Sequence, residues 1–94
     1  MFARVSSFQG TPDRAEALAG PVPPEVQSMA GFKGAYALMN RQTGKAMLIT
    51  LWESEEALQA SAEQAKQTRA AAVDQTGGTE PAQVETYEVL SQAQ

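Results

Sequence analysis

Residues 45–58, KAMLITLWESEEAL, decide the fold. Met47, Ile49 and Leu51 alternate with Ala46, Leu48, Thr50 and Trp52, which is the period of a β-strand. Ser54 follows with Glu55 and Glu56 behind it. A serine there can accept from the free N–H groups of a helix start, and two carboxylates complement its positive end. The third helical position is Ala57, so the capping box is incomplete. Both faces of the strand are mostly apolar, and a strand of that kind needs cover on both sides.

Working outward, Gly31–Met39 (GFKGAYALM) reads as a partner strand. It joins Lys45–Glu53 through the short loop Asn40–Gly44, where Gly44 is free to take positive φ. Residues 2–8 (FARVSSF) and Gln83–Leu90 (QVETYEVL) read as the first and last strands. Thr11-Pro12-Asp13 is a helix start, with Thr11 placed to cap and Pro12 suited to the first position. The helix runs from Arg14 to about Ala19, breaks at 20–23 on Gly20-Pro21 and Pro23-Pro24, and resumes from Pro24 to about Met29. The helix begun at Ser54 carries Leu58, Ala62, Ala65, Arg69 and Ala72 at helical spacing and ends at Gly77-Gly78. Its inward face is mostly alanine. Small side chains there either let the helix sit close to the sheet, the first expectation, or leave a cavity beneath it.

Strand, helix, strand, turn, strand, helix, strand is the order of a βαββαβ, ferredoxin-like α+β domain: a four-stranded antiparallel sheet with helices on one face. Ninety-four residues make a single domain, 1–94. Two helices cover only one side of such a sheet, so the doubly apolar third strand calls for a second copy of the chain against the other side, a homodimer.

Composition excludes much chemistry. The chain has no histidine and no cysteine. It therefore lacks the commonest general base and metal ligand, thiolate catalysis, zinc ribbons and iron–sulfur clusters. No metal site and no cofactor is expected. The net charge of −4, with only seven scattered Lys and Arg, opposes nucleic acid and anionic membranes as partners. No apolar run approaches the length of a membrane span, and the start, MFARVSSF, has no apolar leader core. The expected compartment is the cytoplasm.

The run 31–58, GFKGAYALMNRQTGKAMLITLWESEEAL, and the terminal Tyr87-Glu88-Val89 resemble the antibiotic biosynthesis monooxygenase-like family of the dimeric α+β barrel superfamily. The resemblance is most specific at Gly31-Phe32, at Leu51-Trp52-Glu53-Ser54 and at Glu56-Ala57-Leu58. It implies a homodimer whose sheets face each other, with a pocket in each subunit between sheet and helices. Some members oxidise aromatic polyketides with O₂ and neither metal nor flavin; others bind and degrade haem. Members often carry a histidine nine positions after the strand-end tryptophan, where this chain has Ser61. The haem-degrading branch has its tryptophan near that point, an iron-ligating histidine near the position of Ala71, and a first-strand asparagine where this chain has Ser6 and Ser7. Haem degradation of that kind is not expected.

The candidate pocket residues are Trp52, Tyr36, Asn40, Arg41, Arg4 and Ser61. Trp52 either anchors the core or stacks on a flat ligand with its indole N–H as donor. Asn40 and Arg41, at the hairpin mouth, either face solvent or polarise a carbonyl or phenolate oxygen. Tyr36 shares a strand face with Phe32, Gly34 and Leu38, suited to an interface or to a ligand. Arg4 alternates with Phe2, Ser6 and Phe8; turned inward, it needs a carboxylate, for which Glu88 on the last strand is the candidate. The readings are a monooxygenase-like protein acting on a flat apolar or phenolic molecule, or a non-catalytic ligand-binding or structural dimer of the same fold.

Overall fold

In the computed structural model, residues 1–93 are described. Strands β1 (Phe2–Gln9), β2 (Phe32–Met39), β3 (Lys45–Trp52) and β4 (Gln83–Glu88) form one antiparallel sheet in the order β2-β3-β1-β4. Helices α1 (Pro24–Gln27), α2 (Glu55–Ala60) and α3 (Ala62–Gln75) complete the ferredoxin-like α+β fold. No helix among the described residues is long and apolar enough to cross a membrane.

Several local expectations hold. Ser54 caps α2, its Oγ accepting from the Ala57 N–H at 3.1 Å. Gly44 turns the β2–β3 hairpin at φ 81°. Gly31 takes φ 83° where β2 begins, and a Cβ there would lie 2.5 Å from that of Ala57. The strand entry and α2 therefore approach each other only because this position has no side chain.

Others are corrected. The segment before the proline break is a 3-10 turn, Pro12–Leu18, bent at Arg14, rather than an α-helix from Arg14. The Thr11 side chain makes no cap bond; its backbone N–H instead donates to Thr76 O at 2.8 Å, tying the segment to the end of α3. The single helix expected after Ser54 is two. Ser61 Oγ donates back to Leu58 O at 2.6 Å and its N–H bonds the same carbonyl at 3.2 Å, which ends α2. The pairing register shifts between Phe32 and Gly34, so Phe32 lies opposite Trp52 and Gly34 opposite Leu51. This bulge puts Phe32 and Tyr36 on different faces, against the simple alternation.

The ladder sorts the residues into cross-strand rows. Toward the helices, one end row is Phe2, Trp52 and Phe32, and the other is Phe8, Ala46 and Met39. Each end row anchors a core cluster. Trp52 packs with Val26 and Leu58; Phe8 and Ala46 pack with Ala72. The two rows between them carry Arg4, Thr50 and Ala35, then Ser6, Leu48 and Ala37. Short and polar side chains there, facing alanines of α3, cannot fill the layer.

Candidate functional site

The unfilled middle of that layer is a cleft of about 830 Å³ between sheet and helices. Its size falls within the range of small-molecule sites. The alanine face of α3 therefore leaves space instead of packing tight, and Ala65 and Ala72 border that space. Apolar wall comes from Leu48 of β3, Val26 of α1 and nearby Met29. Ser6, Thr50, Gln64 and Thr68 add neutral polar groups, and Arg4 and Arg69 add positive charge.

Of the six candidate residues, Trp52, Arg4 and Ser61 meet at this cleft. Trp52 is both wall and core. It is 1% exposed, makes an edge-on contact with Phe32 at 5.6 Å between ring centroids, and donates from Nε1 to Thr50 Oγ1 at 2.9 Å. With its indole N–H committed to Thr50, Trp52 offers a ligand packing surface rather than a donor.

Arg4 is 5% exposed and does not pair with Glu88. The register sets Arg4 opposite Thr86, while Glu88 lies opposite Phe2. Its guanidinium crosses instead to the helix layer, donating from Nη1 to Ser61 Oγ at 2.7 Å and from Nη2 to Leu58 O at 2.6 Å. Leu58 sits in the last turn of α2, the negative end of the helix, and its carbonyl takes the guanidinium beside the two bonds it accepts from Ser61. Ser61 is the hinge of this arrangement: it accepts from Arg4 and donates to Leu58 O, so its hydroxyl hydrogen is spoken for. Burial lowers the Arg4 pKa and the positive charge of Arg69 lowers it further; burial also lowers that of Arg69. Both stay protonated at physiological pH.

The other three candidates lie elsewhere. Asn40 is exposed and builds the hairpin: its Oδ1 accepts from the Gln42 N–H at 2.9 Å and the Thr43 N–H at 3.2 Å. Arg41 pairs with Glu16 at 2.9 Å on the exposed surface. Neither borders the cleft. Tyr36 runs along its edge, but its ladder partner Ile49 and its 59% exposure place the ring on the opposite side of the sheet. Arg69 was read only as one position of a helical stripe. Its helical spacing to Ala65 and Ala72 was the signal that it shares their inward face.

No three His, Cys, Asp or Glu side chains among the described residues cluster to hold a metal ion. The chain has no imidazole or thiolate, and Tyr36 and Tyr87, opposite Ile49 and Ala3, share the sheet face away from the cleft.

No protein-family model matches the chain. Over 70 residues, 74% of its length, it is 40% identical to the uncharacterised protein Rv2557 of Mycobacterium tuberculosis strain H37Rv, and equally to MT2634 of strain CDC 1551. The match spans only 30% of those relatives' length. Among solved structures it is similar to a Streptomyces coelicolor monooxygenase in complex with nanaomycin D (TM-score 0.76, 19% identity, 99% of this chain and 90% of that one). It is also similar to a Deinococcus radiodurans protein named as an antibiotic biosynthesis monooxygenase (TM-score 0.66, 14% identity, 100% and 97%). A third is the Mycobacterium tuberculosis haem degrader MhuD with two haems bound (TM-score 0.66, 20% identity, 100% of both chains). The chain has the fold of these monooxygenases, as the sequence resemblance implied.

Proposed function

We propose that this chain is a single-domain, homodimeric, monooxygenase-like protein of the cytoplasm. It takes a flat apolar or phenolic molecule into the cleft and oxidises it with O₂, without metal or flavin. The observation that carries this reading is the cleft itself: about 830 Å³, walled by Leu48, Val26 and Met29 and bordered by Trp52, Arg4 and Ser61. Apolar walls bury the ring, and a few polar groups fix its orientation.

The reaction this cleft suits draws its electrons from the substrate. A phenolate, held by a neighbouring guanidinium, adds O₂ at a ring carbon. Loss of water from the hydroperoxide leaves a quinone. One oxygen atom stays on the ring, and the other departs as water with the ring and phenol hydrogens. Phenol plus O₂ thus gives quinone plus water, with no external reductant. Arg4 holds the negative charge of the phenolate, and Trp52 supplies an apolar wall that keeps water from the ring.

The second reading, a non-catalytic ligand-binding dimer, draws on a specific observation. The Ser61 hydroxyl is committed to Leu58 O and Arg4, and among the described residues exposed Glu25 is the only carboxylate bordering the cleft. The substrate must then reach the cleft already ionised.

The homodimer is supported by the face of the sheet away from the helices. There Val5, Ile49 and Tyr36 form one row that ends at Glu85 on β4, and Met47 and Leu38 lie beside Ser7 in the next. Tyr36, Leu38 and Tyr87 are 59%, 46% and 49% exposed. An apolar surface of this kind is what an obligate interface buries.

Native mass spectrometry of freshly purified protein tests the reading. A dimer carrying a small-molecule adduct is the expected result, and uptake of one O₂ per molecule of that adduct would establish the enzyme. A dimer whose adduct consumes no O₂ favours the second reading. A monomer without adduct removes both.

A further inference from the structure

Two cations border the cleft, and among the described residues no carboxylate pairs with either. Arg4, nearly fully buried, donates only to neutral oxygens, Ser61 Oγ and Leu58 O. Arg69, half-buried on α3, forms no ion pair; among the described residues the one such pair joins Arg41 to Glu16 on the surface. Glu25, the single acid at the cleft among the described residues, pairs with neither. Arg4 and Arg69 line the same cleft, and the positive charge of Arg69 adds to burial in lowering the Arg4 pKa.

Two like charges against an apolar cleft destabilise the empty protein, because each loses hydration and repels the other. The arrangement also runs against the whole chain, whose net charge is −4. An anion between the two would supply the missing opposite charge. A guanidinium has five N–H donors in a planar fork that matches a carboxylate. Two of those of Arg4 are spent within the protein, which leaves three.

We propose that the cleft binds a planar aromatic carboxylate, its carboxylate seated between Arg4 and Arg69 and its ring laid along Leu48, Val26 and Met29. This rests on the reading of the cleft as a ligand site and names the ligand's chemical class. On a hydroxylated ring the carboxylate serves as the anchor and the phenol as the reacting group, the three remaining donors of Arg4 being shared between the two. Arg69 is a binding residue in this scheme, and Arg4 binds while it also joins β1 to the α2–α3 junction.

The test compares 2-naphthoate with its neutral methyl ester by isothermal titration calorimetry at low salt. The acid is expected to bind at least about tenfold more tightly, an advantage that added salt erodes. Arg69→Gln removes most of that advantage and leaves ester binding unchanged, while Arg69→Lys keeps part of it. Because Arg4→Gln is liable to unfold the protein, Arg69 carries the test, with an unchanged melting temperature as its control. Equal binding of acid and ester, or an advantage that Arg69→Gln leaves intact, overturns the carboxylate anchor while the cleft survives as a ligand site. Binding of neither probe to the wild type overturns both.

Discussion

The two faces of the sheet are built from the same four strands and solve opposite problems. Toward the helices the rows run large, small, small, large: Phe2, Trp52 and Phe32 at one end, and Phe8, Ala46 and Met39 at the other. The ends hold the helices off and the middle stays open. Away from the helices the rows carry Val5, Ile49 and Tyr36, then Met47 and Leu38, an apolar stretch over β2 and β3 with Ser7 and Glu85 toward the β4 side. Uneven side-chain size makes a cavity, whereas contiguous apolar side chains on β2 and β3 make a docking surface. The helix side therefore suits a small ligand and the bare side suits a second sheet.

Trp52→Ala puts the sharpest strain on that contrast. It removes the anchor of one end row, and a loss of about 3–5 kcal/mol is expected in chemical denaturation. A loss below about 1 kcal/mol would show that the end row is not what holds the layer apart. Ile49→Glu addresses the bare side. A carboxylate in the central row, beside Val5 and Tyr36, should raise the dimer dissociation constant roughly 30-fold or more, as a hot-spot residue does. Sedimentation velocity reads the change, and a dimer of unaltered affinity would place the contact elsewhere. Ser61→Ala tests the link between layers. It deprives Arg4 of one acceptor and α2 of its closing bond, and about 1–2 kcal/mol of stability should go with it.

The smallest effect belongs to Tyr87, which shares the bare face with Glu85 two residues away on β4. The Glu85 carboxylate, as hydrogen-bond acceptor for the phenol and as a negative charge, raises the Tyr87 pKa above its usual 10.0. The raised group adds stability that is whole below pH 10 and is lost as pH climbs through the raised value. Tyr87→Phe should therefore differ from wild type by a small constant amount from pH 7 to 9, and the gap should close at higher pH. A gap that widens there would reverse the sign.

Much of the fold was legible because each strand alternates and Ser54 marks the helix start without ambiguity. What escaped the sequence depended on register and on competition. Glu88 looked like the partner of Arg4 only because first and last strands are neighbours. The pairing sets Glu88 beside Phe2, two residues away along β1, and Arg4 reaches a serine instead. Ser61, read as the position of a missing histidine, proved to be where one helix becomes two. Asn40 and Arg41 carry suitable chemistry, but a hairpin tip spends the first on its own turn and the second on a surface pair. The cleft was left open between two readings, because alanines on a helix state how little fills a space and not how far away the facing wall stands.

The shifted register at Phe32 works as a parity device. Counting by twos from Tyr36 reaches Phe32 and assigns both to one side, yet the extra residue, Lys33, reverses the count. A regular, unbulged strand over the same residues would pair Lys33 in turn and send the Phe32 ring to the bare face, taking from Trp52 its edge-on neighbour. One exposed lysine, with no role of its own in either surface, thus keeps the inventory of aromatic rings correctly divided between the two sides of the sheet.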